Sequence, residues 1–361
     1  MRDVAIVGAG LLGLAAGRAL AARGMDVVVL DRAEIGHPES GSKGSCRIFR
    51  LGYPDPEYVA AARQAGELWR TLEAESGQCI LLPTPHLTFG TGLRAVHEAM
   101  AAAGAPCELL TAAAAAERFP ALRVGGPALL EPESCVIAAE AALAALAGGV
   151  PEIRTGVRVL RLADDGGQVT VRTTAGTVTA RTVVITAGPW SGALLAPLGV
   201  PLPGRPTLEQ VAYLRPSGPA ADAPIFICHA DRAPYGLPVP GSPLYKIGIH
   251  PSGPATDPDA QDQSADPYLM RKLSEVAADY LPGYDPEPAA TERCIYDTSP
   301  DEDFVLDRIG NVVVGSGTSG HGFKFGPLFG EWLADLATKT PGGLAPELRQ
   351  RFALSRFRSA S

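Results

Sequence analysis

The chain has 361 residues, of which 46% are hydrophobic and 19% charged, and a formal net charge of −8. That length is enough to bury a large core and to divide into two domains. The acidic balance excludes nucleic acid and anionic membrane as partners, because either would need a basic surface to neutralise phosphate.

In chain order, Val4-Ala5-Ile6-Val7 is an uncharged apolar run that suits a parallel strand covered on both faces. Glycine follows at once, and no later run is long enough to cross a bilayer, so the sequence reads as cytoplasmic. Gly8-Ala9-Gly10-Leu11-Leu12-Gly13 comes next, then a helical pattern from Leu11 to Arg23 and a second buried strand, Val27 to Leu30, ending at Asp31. Gly8 permits the tight turn, Gly10 lets the backbone approach a pyrophosphate, and Gly13 lets helix and strand pack closely. The helix N-terminus offers free N–H groups to phosphates, and Asp31 is placed to bind a ribose hydroxyl.

Ala-rich stretches at Thr111 to Ala116 and Ala138 to Ala147 predict helices. Strands are predicted at Val157 to Leu162 and Val169 to Thr173, joined by the turn signal Asp164-Asp165-Gly166-Gly167. Another buried strand, Thr182 to Ile185, ends in the small-residue turn Thr186-Ala187-Gly188. Leu244 to His250 alternates like a half-buried strand. A strand at Asn311 to Val314 leads into the small-residue loop Gly315 to Gly322, and Phe329 to Ala337 reads as helix. Cys46, Cys79, Cys107, Cys135, Cys228 and Cys294 lie far apart without a CxxC pair, which argues for mostly buried thiols rather than disulfides or a zinc site.

Three clusters carry a resemblance that spans almost the whole chain: Gly41-Ser42-Lys43-Gly44-Ser45-Cys46-Arg47-Ile48-Phe49-Arg50; Tyr245-Lys246-Ile247-Gly248-Ile249-His250; and Cys294 through the Ser299-Pro300-Asp301-Glu302 motif to Ser319-Gly320-His321-Gly322-Phe323-Lys324-Phe325. Together they resemble the monomeric sarcosine oxidase family, which includes N-methyltryptophan oxidase and pipecolate oxidase. The resemblance implies an α/β fold of the D-amino-acid-oxidase type, with a Rossmann-like FAD-binding domain and a discontinuous, sheet-based substrate domain. It also implies oxidation of a secondary, N-methyl or cyclic α-amino acid to an imine by hydride transfer to FAD, with O2 reduced to H2O2, in a monomeric enzyme.

Residue by residue, the resemblance implies FAD attachment through Cys294. Arg50 and Lys324 match substrate-carboxylate contacts, and an arginine fork suits a planar carboxylate. Arg47 matches a flavin-adjacent arginine and Lys246 the lysine that promotes reaction with oxygen; the plain alternative for Lys246 is a strand-edge lysine. His250 and Tyr235 match polar residues of the substrate cavity, with structural and catalytic roles both open. Beyond the fingerprint residues and Asp31, the implied cofactor contacts are Arg32, Ser42, Ser45, Cys46, Arg47, Val157, Gly188, Trp190, Gly317, Ser319, Gly320, His321, Gly322, Phe323 and Lys324. His321 reads as a packing or hydrogen-bonding residue before a catalytic base. Cys46 and Lys43 depart from the commoner residues of their loop, so hydrogen bonding around the flavin is expected to differ there.

The expected FAD-binding domain collects residues 1–80, 140–205 and 295–361; residues 81–139 and 206–294 form the substrate domain, with the cavity between them. Two alternatives share this residue set: a biosynthetic imine-forming flavoenzyme acting on a cyclic or carrier-bound amino acid, and a flavin dehydrogenase with another electron acceptor.

Overall fold

The computed structural model describes residues 1–218, 222–230 and 233–357. At its centre, Arg2–Val7 pairs in parallel with Val27–Leu30 on one side and with the second half of the ten-residue strand Gly176–Ile185 on the other. Val4 to Val7 and Val27 to Leu30 are buried throughout, as runs covered by helices on both faces should be. Ile153–Arg154 extends the sheet at one edge.

The long strand changes partners along its length. Its first half joins an antiparallel meander, Val169–Thr173 and Val159–Asp164, and its second half runs parallel to Val312–Ser316, which pairs with Val305–Ile309. Two strands start later than the sequence pattern predicts. Val157 is drawn out of the meander because its N–H donates to the Asp31 carbonyl at 2.7 Å, beside the end of the second strand. Asn311 is held in the preceding turn by Asp164, which accepts from both its backbone and side-chain nitrogens.

Helices Leu11–Ala22 and Gly326–Thr338 pack against each other over one face of this sheet. The approach of the first helix to its strand is tight: a Cβ on Gly13 would sit 1.8 Å from the Gly8 carbonyl oxygen. The alanine-rich stretches form helices Ala112–Arg118, capped by Thr111, and Ala139–Gly148.

A second eight-stranded sheet runs in the order Ala290–Thr298, Arg205–Leu214, Tyr245–Ile249, Pro234–Pro238, Ile225–His229, His86–Gly90, Ala128–Glu131, Glu108–Leu110. One face buries Phe226, Tyr245 and Ile247 against Leu273, Val276 and Ala277 of helix Pro267–Tyr280. Here the half-buried reading of Tyr245–Ile249 is corrected: every residue is buried, because the strand lies inside the sheet with Lys246 facing a cavity rather than solvent. A three-stranded sheet, Cys46–Phe49, Cys135–Ala138 and Leu81–Pro83, stands beside the two large ones. The cysteines are all free and most are buried, as expected; Cys79, which is exposed, and Cys107, only partly covered, depart from a buried structural role because each follows a helix at the surface.

Candidate active site

A cavity of about 750 Å³ opens between the C-terminal ends of the first sheet and the outer face of the second. At one end it is lined by Gly8, Gly10, Leu11, Leu12, Asp31, Arg32, Ser42, Val157, Gly188 and Trp190. Cys46, Arg47, Arg50, Tyr235, Lys246, His250, Cys294, Gly320, His321, Gly322, Phe323 and Lys324 line the rest. Gly13, Ser45, Gly317 and Ser319 do not reach it. They form the layer beneath: Ser319 is fully buried and meets Ser299, and Ser45 faces Cys46.

The nucleotide end is built for an anion. Helix Leu11–Ala22 begins at Gly10 without a side-chain cap and has no acid in its first turn, so its positive end is left for a ligand. Ser42 Oγ accepts from the Leu11 N–H at 3.0 Å and ties the neighbouring loop to this turn. Asp31 accepts from Ala9 N–H at 2.6 Å and from Ala33 N–H at 3.0 Å, so its carboxylate also shapes the glycine loop. Carboxylate oxygens accept more than one bond, which leaves capacity for a ribose hydroxyl.

Beyond it, Arg32 lies 3.9 Å over the Trp190 ring and pairs with Asp259 at 2.8 Å. Asp259 also accepts from the Trp190 Nε1 at 2.9 Å and pairs with Arg158 at 3.2 Å. This clasp closes the outer end of the cavity. The uncapped helix, the glycine turn and the volume of the cavity fit a dinucleotide.

At the inner end, Cys294 is a buried free thiol on the strand Ala290–Thr298. Asp297 on the same strand organises the glycine-rich loop, accepting from Ser316 Oγ at 2.5 Å and Gly317 N–H at 2.7 Å, with burial pushing its carboxyl up. Arg47 lines the cavity while donating to the carbonyls of Cys46, Gly41 and Lys43, which curls its loop around the guanidinium.

Tyr235 lies over the sheet opposite Gly248, where any Cβ would come within 2.4 Å of the phenol. His250 stands 5.7 Å from the Tyr296 ring, and burial lowers its basicity, so it is neutral near pH 7.

A directional chain of hydrogen bonds crosses the innermost part. Lys324 Nζ donates to the Tyr53 hydroxyl at 2.9 Å and to the His321 carbonyl at 2.7 Å. His321 Nε2 lies 3.1 Å from the Glu302 carbonyl, which can only accept, so this nitrogen carries the proton. Nδ1 then accepts from the Tyr53 hydroxyl at 3.1 Å. Burial and the nearby Lys324 push His321 well below the usual histidine range, in keeping with a neutral ring whose lone pair is already used. The Arg50 guanidinium packs 4.1 Å from the centre of the Tyr53 ring. Two basic side chains, Arg50 and Lys324, thus flank one tyrosine; burial, then Arg50, pushes the Lys324 amine well below the usual lysine range.

Behind Arg50 sits Glu131, 1% exposed, whose Oε2 accepts from the N–H groups of Leu51 and Gly52 at 2.9 Å each, while Oε1 meets His86 Nδ1 at 2.7 Å. Burial raises its carboxyl, but His86, Arg50 and the Gly52 N–H outweigh that and hold it at about 2. Tyr53 and Asp297, which line the cavity, and Glu131 behind Arg50 were not singled out by sequence reasoning. Tyr53 follows Arg50 by three residues, and Glu131 is a lone acid closing an apolar strand; both signals are weak.

A phosphate-binding turn that continues into a buried, cation-lined chamber is the plan of a dinucleotide-dependent oxidoreductase. The chain belongs to the FAD dependent oxidoreductase family, whose sequence model matches residues 3–336. Peroxisomal sarcosine oxidase of Mus musculus is 35% identical over 99% of this chain and 97% of its own. Monomeric sarcosine oxidase of Bacillus sp. (strain NS-129) is 33% identical over 93% and 92%. Among solved structures, NikD, described as an unusual amino acid oxidase essential for nikkomycin biosynthesis, superposes with a TM-score of 0.86 at 29% identity, covering 98% of this chain and 97% of that one.

Proposed function

We propose that this enzyme oxidises a secondary α-amino acid, N-methylated or cyclic, to its imine, and passes the two electrons to O2 to give H2O2. The observation that carries the reading is the placement of Arg50 and Lys324 on either side of Tyr53, inside the same cavity as Lys246 and Cys294. A fork-shaped donor and a point charge suit a free carboxylate. The full-length likeness to two sarcosine oxidases supports the same substrate class.

FAD, when bound, supplies the two-electron chemistry. The protein's part is orientation and charge. Arg50 and Lys324 hold the carboxylate, and the same cations lower the proton affinity of the substrate amine, so that it reacts as the free base. With His321 committed to Tyr53 and Glu302, no histidine base is required for that step. Tyr235 and His250 wall the cavity around the reacting carbon, and Lys246 is the cation we assign to the oxygen reaction. Cys294 is the site at which FAD is attached. We further read the enzyme as monomeric and cytoplasmic; among the described residues no helix is long and apolar enough to cross a membrane.

Our division of the chain assigns 1–80, 140–205 and 295–361 to the cofactor unit and 81–139 and 206–294 to the substrate unit. Residues 219–221, 231–232 and 358–361 of these ranges lie outside the described residues. The sheet memberships support the division except at two places: Ala290–Thr298 pairs with Arg205–Leu214 through Thr298 and fits better with the substrate unit, and the three-stranded sheet joins Cys46–Phe49 of the cofactor unit to Cys135–Ala138 and Leu81–Pro83 of the substrate unit.

A panel of sarcosine, larger N-methyl amino acids, cyclic imino acids and their amides, followed by H2O2 release, tests the reading. Turnover confined to free acids is expected. Substrate oxidation with an artificial acceptor but no peroxide would overturn the oxidase assignment.

A further inference from the structure

Along the strand Ala290–Thr298 alternate residues share a face, which places Glu292 beside Cys294 and Tyr296, both of which line the cavity. Glu292 lies next to that lining rather than in it, with 23% of its side chain exposed. It accepts from the Tyr213 hydroxyl at 2.7 Å, and Tyr213 is the residue directly opposite Lys246 on the neighbouring strand. The Lys246 ammonium stands 5.8 Å from the centre of the Tyr213 ring. On its other side the carboxylate faces Lys43, Nζ to Oε1 3.7 Å, in the loop that also brings Cys46 and Arg47 to the cavity. Burial raises the Glu292 carboxyl, but the Tyr213 hydrogen bond and then the charges of Lys246, Lys43 and Arg47 outweigh it and keep it ionised. One carboxylate therefore stands among three cations on a single wall.

We propose that Glu292 is a specificity-determining residue for the electron acceptor, a fixed anion that offsets the cations around Lys246 and so sets how readily oxygen reacts. The inference rests on the reading of Lys246 given above. Reducing O2 to H2O2 takes two electrons from the substrate C–N unit and two protons, and the first electron creates an anion. Cations fixed nearby stabilise that charge without reorganisation, and an anion among them opposes it. Glu292 also restrains Lys43 and Tyr213, which keeps the wall's charges in place.

Glu292→Gln removes the charge while retaining an acceptor for Tyr213, and Glu292→Asp keeps the charge. In the flavin-loaded enzyme three quantities are measured: anaerobic reduction by an N-methyl amino acid, reoxidation by O2, and affinity for sulfite, read at equilibrium from bleaching of the flavin absorbance. A unit charge about 10 Å away at an effective dielectric near 20 alters such a process on the order of tenfold. Glu292→Gln is accordingly expected to speed reoxidation and to tighten sulfite binding by roughly tenfold each, with reduction changed by less than about threefold. Glu292→Asp should stay near wild type, and the gain should shrink in a Lys246→Met background.

If Glu292→Gln leaves reoxidation and sulfite affinity unchanged while Lys246→Met slows reoxidation, the proposal fails and the assignment of Lys246 stands. If Lys246→Met itself leaves reoxidation unchanged, the assignment of Lys246 fails and the proposal goes with it. Should Glu292→Asp shift both quantities as far as Glu292→Gln, packing rather than charge is responsible, and the proposal is again overturned.

Discussion

The ammonium of Lys324 and the hydroxyl of Tyr53 meet at 2.9 Å in a fully buried setting, although 271 positions separate them in the chain. Tyr53 accepts there and donates to His321, so a single hydroxyl joins the lysine nitrogen to a neutral ring. Burial pushes this phenol up to about 12, and it stays protonated across the working range.

Removing that hydroxyl in Tyr53→Phe leaves Lys324 one acceptor short and His321 Nδ1 without a donor. A buried polar group left unpaired costs about 1–3 kcal/mol. Affinity for carboxylate inhibitors is expected to fall roughly tenfold to a hundredfold. Titration of the flavin spectrum with such an inhibitor measures it; unchanged affinity would remove Tyr53 from the site.

Binding of a carboxylate should draw a proton onto Lys324. In the free protein burial and Arg50 hold its basicity below the ordinary lysine range. A bound anion restores it. Between the free and bound values the complex carries the extra proton, so affinity falls as pH rises through that window and is flat below it. Calorimetry in buffers of different ionisation enthalpy reads the uptake directly. In Lys324→Met both the uptake and the slope are expected to vanish.

Acid precipitation tests the thioether. With FAD attached at Cys294, yellow colour should stay in the pellet, and Cys294→Ala should release it to the supernatant. Colour lost from the wild-type pellet would mean that the buried thiol is unmodified.

Glu131 links acid stability to the substrate end of the cavity. Its carboxyl falls from the ordinary 4.5 to about 2 on folding, worth about 3 kcal/mol. Because the folded value is the lower one, that stability is present above about pH 4.5 and is lost as pH falls toward about 2. Glu131→Gln should lower the urea midpoint at neutral pH and flatten its decline in acid. A decline as steep as that of the wild type would assign the effect to other carboxylates.

The legible parts of the molecule are those fixed by local physics. A turn that only glycine can make, a helix that starts without a cap and an uncharged run between helices announce themselves within thirty residues, so the cradle from Val4 to Asp31 is readable directly. Lys246, Arg50 and Lys324 were named by resemblance and do face one cavity. Sequence could not supply what depends on approach between distant segments. Tyr53 acquires its partners only when the Gly315–Gly322 loop and its flanking helix fold onto the Arg50 loop. Glu131 gains meaning from two amide groups and a histidine on other elements. The misjudged burial of Tyr245–Ile249 has the same origin: alternation reports the strand's own residues, while its neighbours on both edges and above the face decide what water reaches.

The clasp of Arg32, Trp190 and Asp259 lies at the opposite end of the cavity from Cys294. A cofactor attached at the cysteine would be anchored at one end by a bond that salt cannot touch and confined at the other by paired charges that salt weakens. High ionic strength would then loosen the outer end without setting the cofactor free.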